Sequence, residues 1–240
     1  MKKANSSATI PTSSMADLYA KYDQHFQSLN PMDAADYAHA VRYYERLYGR
    51  FLPTDPKSRI MDVGCGGGHF LFFLKAKGFL NHLGVEQDGK LAEFVKAWVT
   101  PEVVNEDMFA FIEVQPAETV SVVALNDVIE HVDKNSGLRL LKLAHRILTP
   151  GGLLLMKTIN MSHPLALRSR YMDLTHEQGY TEESLRQLLV LAAFRPVHIG
   201  PAEPSWANRI IRYGLYPLYR LNGHIVPRVV TTNMIAVAMK

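Results

Sequence analysis

The segment 60-IMDVGCGGGHF-70 constrains this chain more than any other. An apolar run that reads as a buried strand meets Gly64, Gly66 and Gly68, and 69-HFLFFLKAK-77 then reads as a helix closed by Gly78. Glycine in such a turn lets the backbone take positive φ and approach a ligand closely. A tight turn with no ligand satisfies the same pattern, so the turn alone does not decide. Its context adds weight. A second strand, 82-HLGVE-86, ends in Glu86 about 20 residues on, where a carboxylate can accept from both hydroxyls of a ribose. The pair points to a nucleoside-containing cofactor. A phosphate loop of the ATPase kind needs Lys-Ser/Thr after the glycines, and His69-Phe70 stand there instead.

Strand and helix patterns alternate onward from this point. The sequence predicts a helix over 89–98, a short strand near 102–105, a strand over 120–125 and a helix over 134–147. A strand over 153–158 follows Pro150-Gly151-Gly152, then a helix over 181–194 with Thr181 as N-cap, a strand at 195–200 and a last strand within 231–240. This order implies a parallel sheet covered on both faces. Upstream, residues 15–52 carry apolar and aromatic positions at helical spacing divided by Pro31, which predicts two helices in a cap over 15–57. Residues 1–14 read as a disordered polar tail, because no apolar stretch follows their lysines.

At 240 residues and 48% hydrophobic content, the chain supports one large domain, 58–240. A single cysteine, Cys65, excludes an internal disulfide and a cysteine metal cluster and suits a reducing, cytoplasmic setting. No run approaches the roughly 20 apolar residues that span a bilayer. A net charge of +3 does not by itself argue for nucleic acid. The charge is uneven, however: Arg209, Arg212, Arg220, Arg228 and Lys240 follow Pro204 with no acidic residue among them. An insertion over 201–230 is therefore expected as a lid, with a homodimer surface or contact of 204–228 with the inner face of a membrane as alternatives.

In these residues the chain resembles the class I S-adenosylmethionine-dependent methyltransferases. The likeness rests on DVGCGGG, GVEQD, 105-NEDMF-109, NDVIEHV and LTPGGLLLMKT, in family order over residues 55–200. It implies an α/β Rossmann-like fold with a mostly parallel seven-stranded sheet. It also implies that Asp62 and Gly64 contact the methionine end of the cofactor, while Gly66 and Gly68 allow close approach. Glu86, with Gln87 beside it, would hold the ribose, Asp107 and Met108 would flank the adenine, and Asn126 would face the methionine moiety. From the residues alone, Asp107 reads equally as a helix N-cap before 108-MFAFIEV-114, and Glu86 as a cap.

For the acceptor, Asp127, Glu130 and His131 stand at i, i+3 and i+4, one face of a helical turn. They resemble the E-x-x-E-H arrangement with which two methyltransferase groups hold a divalent ion, with Asp in place of the first Glu. The resemblance implies Mg2+ or another divalent cation on Asp127, Glu130 and His131, with His176 as fourth ligand and His163 as second choice. A metal-free base, His131 or His176, and a capping Asp127 with a merely packed His131 are the other readings. The pattern R-x-x-D-x-T-H-x-x-x-Y-T within 160–185 resembles methyltransferases of bacterial polysaccharide and sugar biosynthesis. There Arg168, Arg170 and His176 would meet an acidic or phosphorylated acceptor, and Tyr171 and Tyr180 would stack on a ring. The implied function is O-methylation of a sugar or small-metabolite hydroxyl. A quinone precursor and a non-catalytic cofactor-binding protein are the alternatives, and RNA is the least expected partner.

Overall fold

The computed structural model describes residues 32–163, 166–202, 206–221 and 227–240. The expected tail and the first of the two N-terminal helices lie outside the described residues. Seven strands, β1 (Ile60–Val63), β2 (His82–Glu86), β3 (Val103–Asn105), β4 (Val120–Asn126), β5 (Leu148–Ile159), β6 (Arg195–Pro201) and β7 (Asn233–Met239), form one sheet. Its order is β3-β2-β1-β4-β5-β7-β6. The first five strands pair parallel, and β7 runs antiparallel between β5 and β6. The mostly parallel seven-stranded sheet is thus the one expected.

Helices cover both faces, which is why every residue of β1 is buried. Strand side chains alternate between the two cores: Met61, Val63, Val123 and Leu125 join one, Ile60, Val122 and Ala124 the other. The first core is closed by α4 (Met108–Val114), α5 (Lys134–Ile147) and α7 (Glu182–Leu191) through Ile112, Leu140, Leu141, Leu185 and Leu189. The second is closed by α1 (Ala34–Tyr48), α2 (His69–Ala76) and α3 (Gly89–Trp98), where Tyr44 and Tyr48 meet the Phe70 ring edge-on. Side-chain caps fix the helix starts: Asp33 for α1, Asp88 for α3, Asp107 for α4, Asp133 for α5 and Thr181 for α7.

The expected strand over 153–158 is longer. Pro150-Gly151-Gly152, expected to precede it, lies inside β5, where Gly151 takes φ 76° and a register shift interrupts pairing with β4. Two further helices lie among the described residues: the short α6 (Ala166–Tyr171), after β5, and the longer α8 (Trp206–Leu221), within the insertion expected as a lid. Residues 203–205 and 222–226 of that insertion lie outside the described residues. Among the described residues, no helix is long and apolar enough to cross a membrane.

Gly68 and Gly78 separate conformational from packing cost. Both are left-handed, at φ 77° and 84°. A Cβ on Gly78 meets nothing within 4 Å, whereas one on Gly68 falls 2.8 Å from Val95 Cγ1. Gly78→Ala is expected to cost about 1–2 kcal/mol from backbone conformation alone. Gly68→Ala adds an overpacking term of about 1–3 kcal/mol. Denaturant melts of the two variants check the order.

Candidate active site

The carboxyl ends of β1, β2 and β4 and the face of α1 enclose a cavity of about 890 Å³. At its base lies the glycine turn. Gly64 and Gly66 take φ 70° and 51°, and the amides of Gly64 and Cys65 both donate to the Val85 carbonyl, at 2.8 and 3.1 Å. The turn is therefore stitched to β2. Gly66 N donates to Glu86 Oε2 at 2.8 Å, and Asp88 N to Glu86 Oε1 at 2.9 Å. Burial pushes the Glu86 carboxyl up, and these backbone donors partly offset it. Gly64, Gly66, Glu86 and Gln87 line the cavity, whereas Gly68 does not. Gly68 serves the turn and the close packing of α2 on Val95.

Asp62 Oδ1 and Asn126 Nδ2 are buried on the wall without a well-formed hydrogen bond, although the Asn126 amide lies near enough to the Asp62 carboxyl to favour its charge. The Tyr48 hydroxyl donates to Asn126 Oδ1 at 2.9 Å, and the Asp62 carboxylate beside the amide favours Nδ2 as the donor turned toward it. Burial, with the Glu86 charge behind it, pushes the Asp62 carboxyl up to about 8. An acceptor that wants a cation beside a donor that wants a carboxylate fits the α-amino acid end of a ligand. At the other end Asp107 Oδ1 caps α4, accepting from Phe109 N and Ala110 N, while Asp107 and Met108 also line the cavity. Capping and lining are thus both met by the one carboxylate. Asn105, which sequence reasoning passed over, shapes the acidic turn by donating from Nδ2 to the Glu86 and Gln87 carbonyls.

The expected metal set does not assemble. Asp127 takes left-handed backbone, φ 55°, so the chain reverses before the 3-10 turn Ile129–His131, and the three side chains do not share a face. Asp127 Oδ2 pairs with Lys157 Nζ at 2.5 Å on the cavity wall. Glu130 is buried off the wall and accepts from Thr158 Oγ1 at 3.0 Å, its carboxyl pushed up to about 8 by burial first and by Asp127 second. Its backbone carbonyl accepts from Glu177 N and Gln178 N, which pins the segment after α6 against the turn.

Only His131 of the three reaches His176. Their ring centroids are 4.7 Å apart, and ligand atoms of His131, His176 and Asp173 lie within 4.8 Å of one another. His163 is not in this group. His131 lines the cavity; His176 sits behind it, Nδ1 facing the Arg170 carbonyl at 3.2 Å. His131 Nδ1 meets Thr175 Oγ1 at 2.9 Å, and Thr175 donates to Asp173 Oδ1 from both its hydroxyl, at 2.7 Å, and its amide, at 2.8 Å. Burial works against the Asp173 charge, but these two bonds more than offset it and hold the carboxyl below its ordinary range. Burial and the neighbouring His176 push His131 down to about 4. Arg168, Arg170, Tyr171 and Tyr180 do not line the cavity. The Arg170 guanidinium stacks over Tyr171 and donates to the Glu177 carbonyl.

Several wall residues carried a signal in the sequence that went unused. Asp36, His39, Ala40 and Tyr43 stand at i, i+3, i+4 and i+7, and this face of α1 looks onto the cavity. Asp36 Oδ2 meets His69 Nε2 at 2.7 Å, and Tyr37 donates to the Gly67 carbonyl at 2.6 Å, which docks α1 on the glycine turn. Lys157 is a charge inside the otherwise apolar GLLLMKTI. Burial works against its charge, and the adjoining Asp127 carboxylate more than reverses this.

Asp62 supplies the test of the amino-acid end. Its folded pKa, about 8, lies above the unfolded value, so the folded protein holds more protons between about pH 4 and 8 and loses stability as pH rises through that window. Asp62→Asn is expected to raise the melting temperature of the ligand-free protein at pH 8 by about 2–4 °C per kcal/mol recovered. The same change is expected to weaken S-adenosylmethionine binding about 10- to 100-fold, the worth of one charged hydrogen bond. In the unchanged protein, calorimetry in two buffers below pH 8 is expected to show proton release on binding.

Residues 36–199 match the methyltransferase domain family. No curated protein matches the chain in sequence. A SAM-dependent methyltransferase from Archaeoglobus fulgidus is 20% identical, with 95% of this chain and 100% of that chain covered and a TM-score of 0.64. A SAM-dependent methyltransferase from Thermotoga maritima is 18% identical, with 93% and 99% covered and a TM-score of 0.63. A third, from Mesorhizobium loti, is 16% identical, with 82% and 98% covered and a TM-score of 0.59. At these identities the solved structures speak for the fold. The family match, covering more than half of the chain and set on this sheet and glycine turn, makes the chain a class I S-adenosylmethionine-dependent methyltransferase.

Proposed function

We propose that this methyltransferase acts on a hydroxyl of a sugar or of a comparably small polar acceptor, with His131 as base and Thr175 and Asp173 positioning it. The observation that carries the reading is the hydrogen-bonded chain Asp173, Thr175, His131 ending on the cavity wall. An ionised carboxylate only accepts, so the Thr175 hydroxyl proton goes to Asp173. Thr175 Oγ1 then accepts from His131 Nδ1–H, and Nε2 becomes the basic nitrogen of the ring.

Bound S-adenosylmethionine supplies a methyl group on a sulfonium for in-line displacement. A hydroxyl acceptor must shed its proton as it gains the methyl, and a neutral imidazole on the wall can take it. Burial keeps His131 neutral across the physiological range, and Asp173 and Asp127 favour the charge that forms on it. A base this weak belongs at the low end of general-base benefit, about 10² in rate. The wall also holds the Tyr43 ring, His39, the Asp127 and Lys157 pair and Asn233, an aromatic ring among donors and acceptors. Such a mixture suits a hydroxylated ring. The likeness of 170–181 to methyltransferases of polysaccharide biosynthesis favours a cell-surface glycan or its nucleotide-sugar or lipid-linked precursor.

With Asp127 and Glu130 engaged elsewhere, the reading needs no divalent ion. The test is labelled-methyl transfer to nucleotide sugars, lipid-linked sugars and catechols, with and without chelator. Turnover on a sugar, indifferent to chelator, is the expected result. Activity lost in chelator and restored by magnesium would assign His131, His176 and Asp173 to a metal ion instead. His131→Ala is expected to lower kcat by about 10² at unchanged cofactor affinity. Asp173→Asn can donate to Thr175 and so reverse the chain of donors; it is expected to cost about as much, whereas Thr175→Ser retains activity. Since His131 must be unprotonated, kcat is expected to stay level down to mildly acidic pH and to fall as pH approaches about 4.

A further inference from the structure

β5 and β6 point the same way, since each runs antiparallel to β7. The segments that follow them, 160–180 and 202–232, therefore leave the sheet at one edge, the edge at which the cavity lies. They are joined at the base: Asn160 N donates to the Thr232 carbonyl, and Asn160 Nδ2 to the carbonyls of Val229 and Thr231. The first also borders the site through the Thr175 contact with His131, and the second runs directly into Asn233 on the wall.

More than half of the exposed large apolar side chains among the described residues lie in these two segments. Tyr171 and Leu174 are 73% and 74% exposed in the first. In α8, Ile210, Tyr213, Tyr216 and Leu221 are 59%, 67%, 50% and 83% exposed. At 3.6 residues per turn these four fall in a sector of about 140°, and exposed Arg220 falls among them. A folded chain normally buries such a stripe. The stretch that carries α8 is cationic: from Pro204 to Thr232 the sequence has Arg209, Arg212, Arg220 and Arg228 and no acid, while in the other segment Arg168 and Arg170 stand with Asp173 and Glu177.

We propose that this rim docks on an anionic lipid bilayer, with α8 lying in the interface and the cavity opening toward the headgroups. Tyrosine rings with apolar bodies and polar tips settle at headgroup level, and guanidinium groups pair with lipid phosphates. Isoleucine and leucine on the same sector enter the acyl boundary, as an interfacial helix requires. The charge of 204–232 is what selects this occupant: its arginines, without acids among them, meet an anionic surface favourably, whereas a second copy would set the same arginines against one another. The proposal does not depend on the identity of the methyl acceptor.

The test is flotation of the full chain with phosphatidylcholine vesicles, with and without phosphatidylglycerol. Flotation with the anionic vesicles at low salt, reduced in high salt, is the expected result. The combined variant Tyr213→Ser, Tyr216→Ser, Leu221→Ser is expected to lower vesicle partition at least about tenfold while S-adenosylmethionine binding by calorimetry shows it folded. A control, Val190→Ser with Leu191→Ser, removes exposed apolar side chains of α7 and is expected to float like the unchanged chain. Absence of flotation with either vesicle, or equal flotation of the combined variant, overturns the proposal. So does a dimer in sedimentation that the combined variant abolishes, with no vesicle binding by either protein.

Discussion

The binding groups of the cavity take their places from the hydrogen bond that Gly66 N gives to Glu86 Oε2. With the two amide bonds to the Val85 carbonyl, it latches the glycine turn of β1 to the end of β2. The turn can be this tight because its glycines adopt left-handed backbone that a side chain would resist. The latch has an electrostatic cost. It sets the Glu86 and Asp62 carboxylates behind one low-dielectric wall, where each penalises the other's charge and burial penalises both. The protein thus carries two reluctant anions where a cationic, hydroxyl-bearing ligand would relieve them. Sites of this kind are where local stability is given up for function.

Much of this arrangement can be read along the chain. Helices α3 and α5 begin and end where the residue pattern puts them, because Asp88 and Asp133 are caps whose side chains bond the first turn. The glycine turn and its acid are legible because both requirements, positive φ and a carboxylate at a strand end, restrict residue type strongly. The Asp127, Glu130, His131 cluster is not legible in the same way. Its spacing carries meaning only on a helix, and Asp127 lies in left-handed backbone that the sequence does not announce. Nor does spacing reveal that His131 belongs with Thr175, 44 positions away, since that pairing is set by how the segment after β5 folds back. The α1 stripe and Lys157 lay between these cases: their periodicity and charge were visible, but a helix outside the sheet and one lysine in a strand have ordinary explanations until the cavity is seen.

That fold-back is organised by the period of β5. Lys157 and Thr158 are neighbours in an extended strand and so face opposite ways. Lys157 meets Asp127 on the cavity wall, while Thr158 reaches Glu130 in the interior. Glu130 in turn holds the amides of Glu177 and Gln178 with its carbonyl. Two consecutive residues thereby divide the work, one supplying charge to the acceptor side and the other fixing the loop that carries Asp173 and Thr175. Glu130, which on spacing alone belongs with the ligands, is better described as the post to which that loop is tied.

The bond from Tyr48 to Asn126 has a reach beyond its length. The phenol is fully buried at the end of α1, a helix that takes no part in the sheet, and the amide stands at the tip of the central strand β4. An amide is nearly the same shape either way round, so nothing steric would keep its nitrogen rather than its oxygen toward a ligand. A phenol both donates and accepts, so Tyr48 anchors the amide, and the neighbouring Asp62 carboxylate, which accepts, favours the nitrogen on its own side. The amide at the heart of the site is therefore held in place from some 78 positions upstream, and an N-terminal helix braces a pocket whose shape the sheet alone would nearly provide.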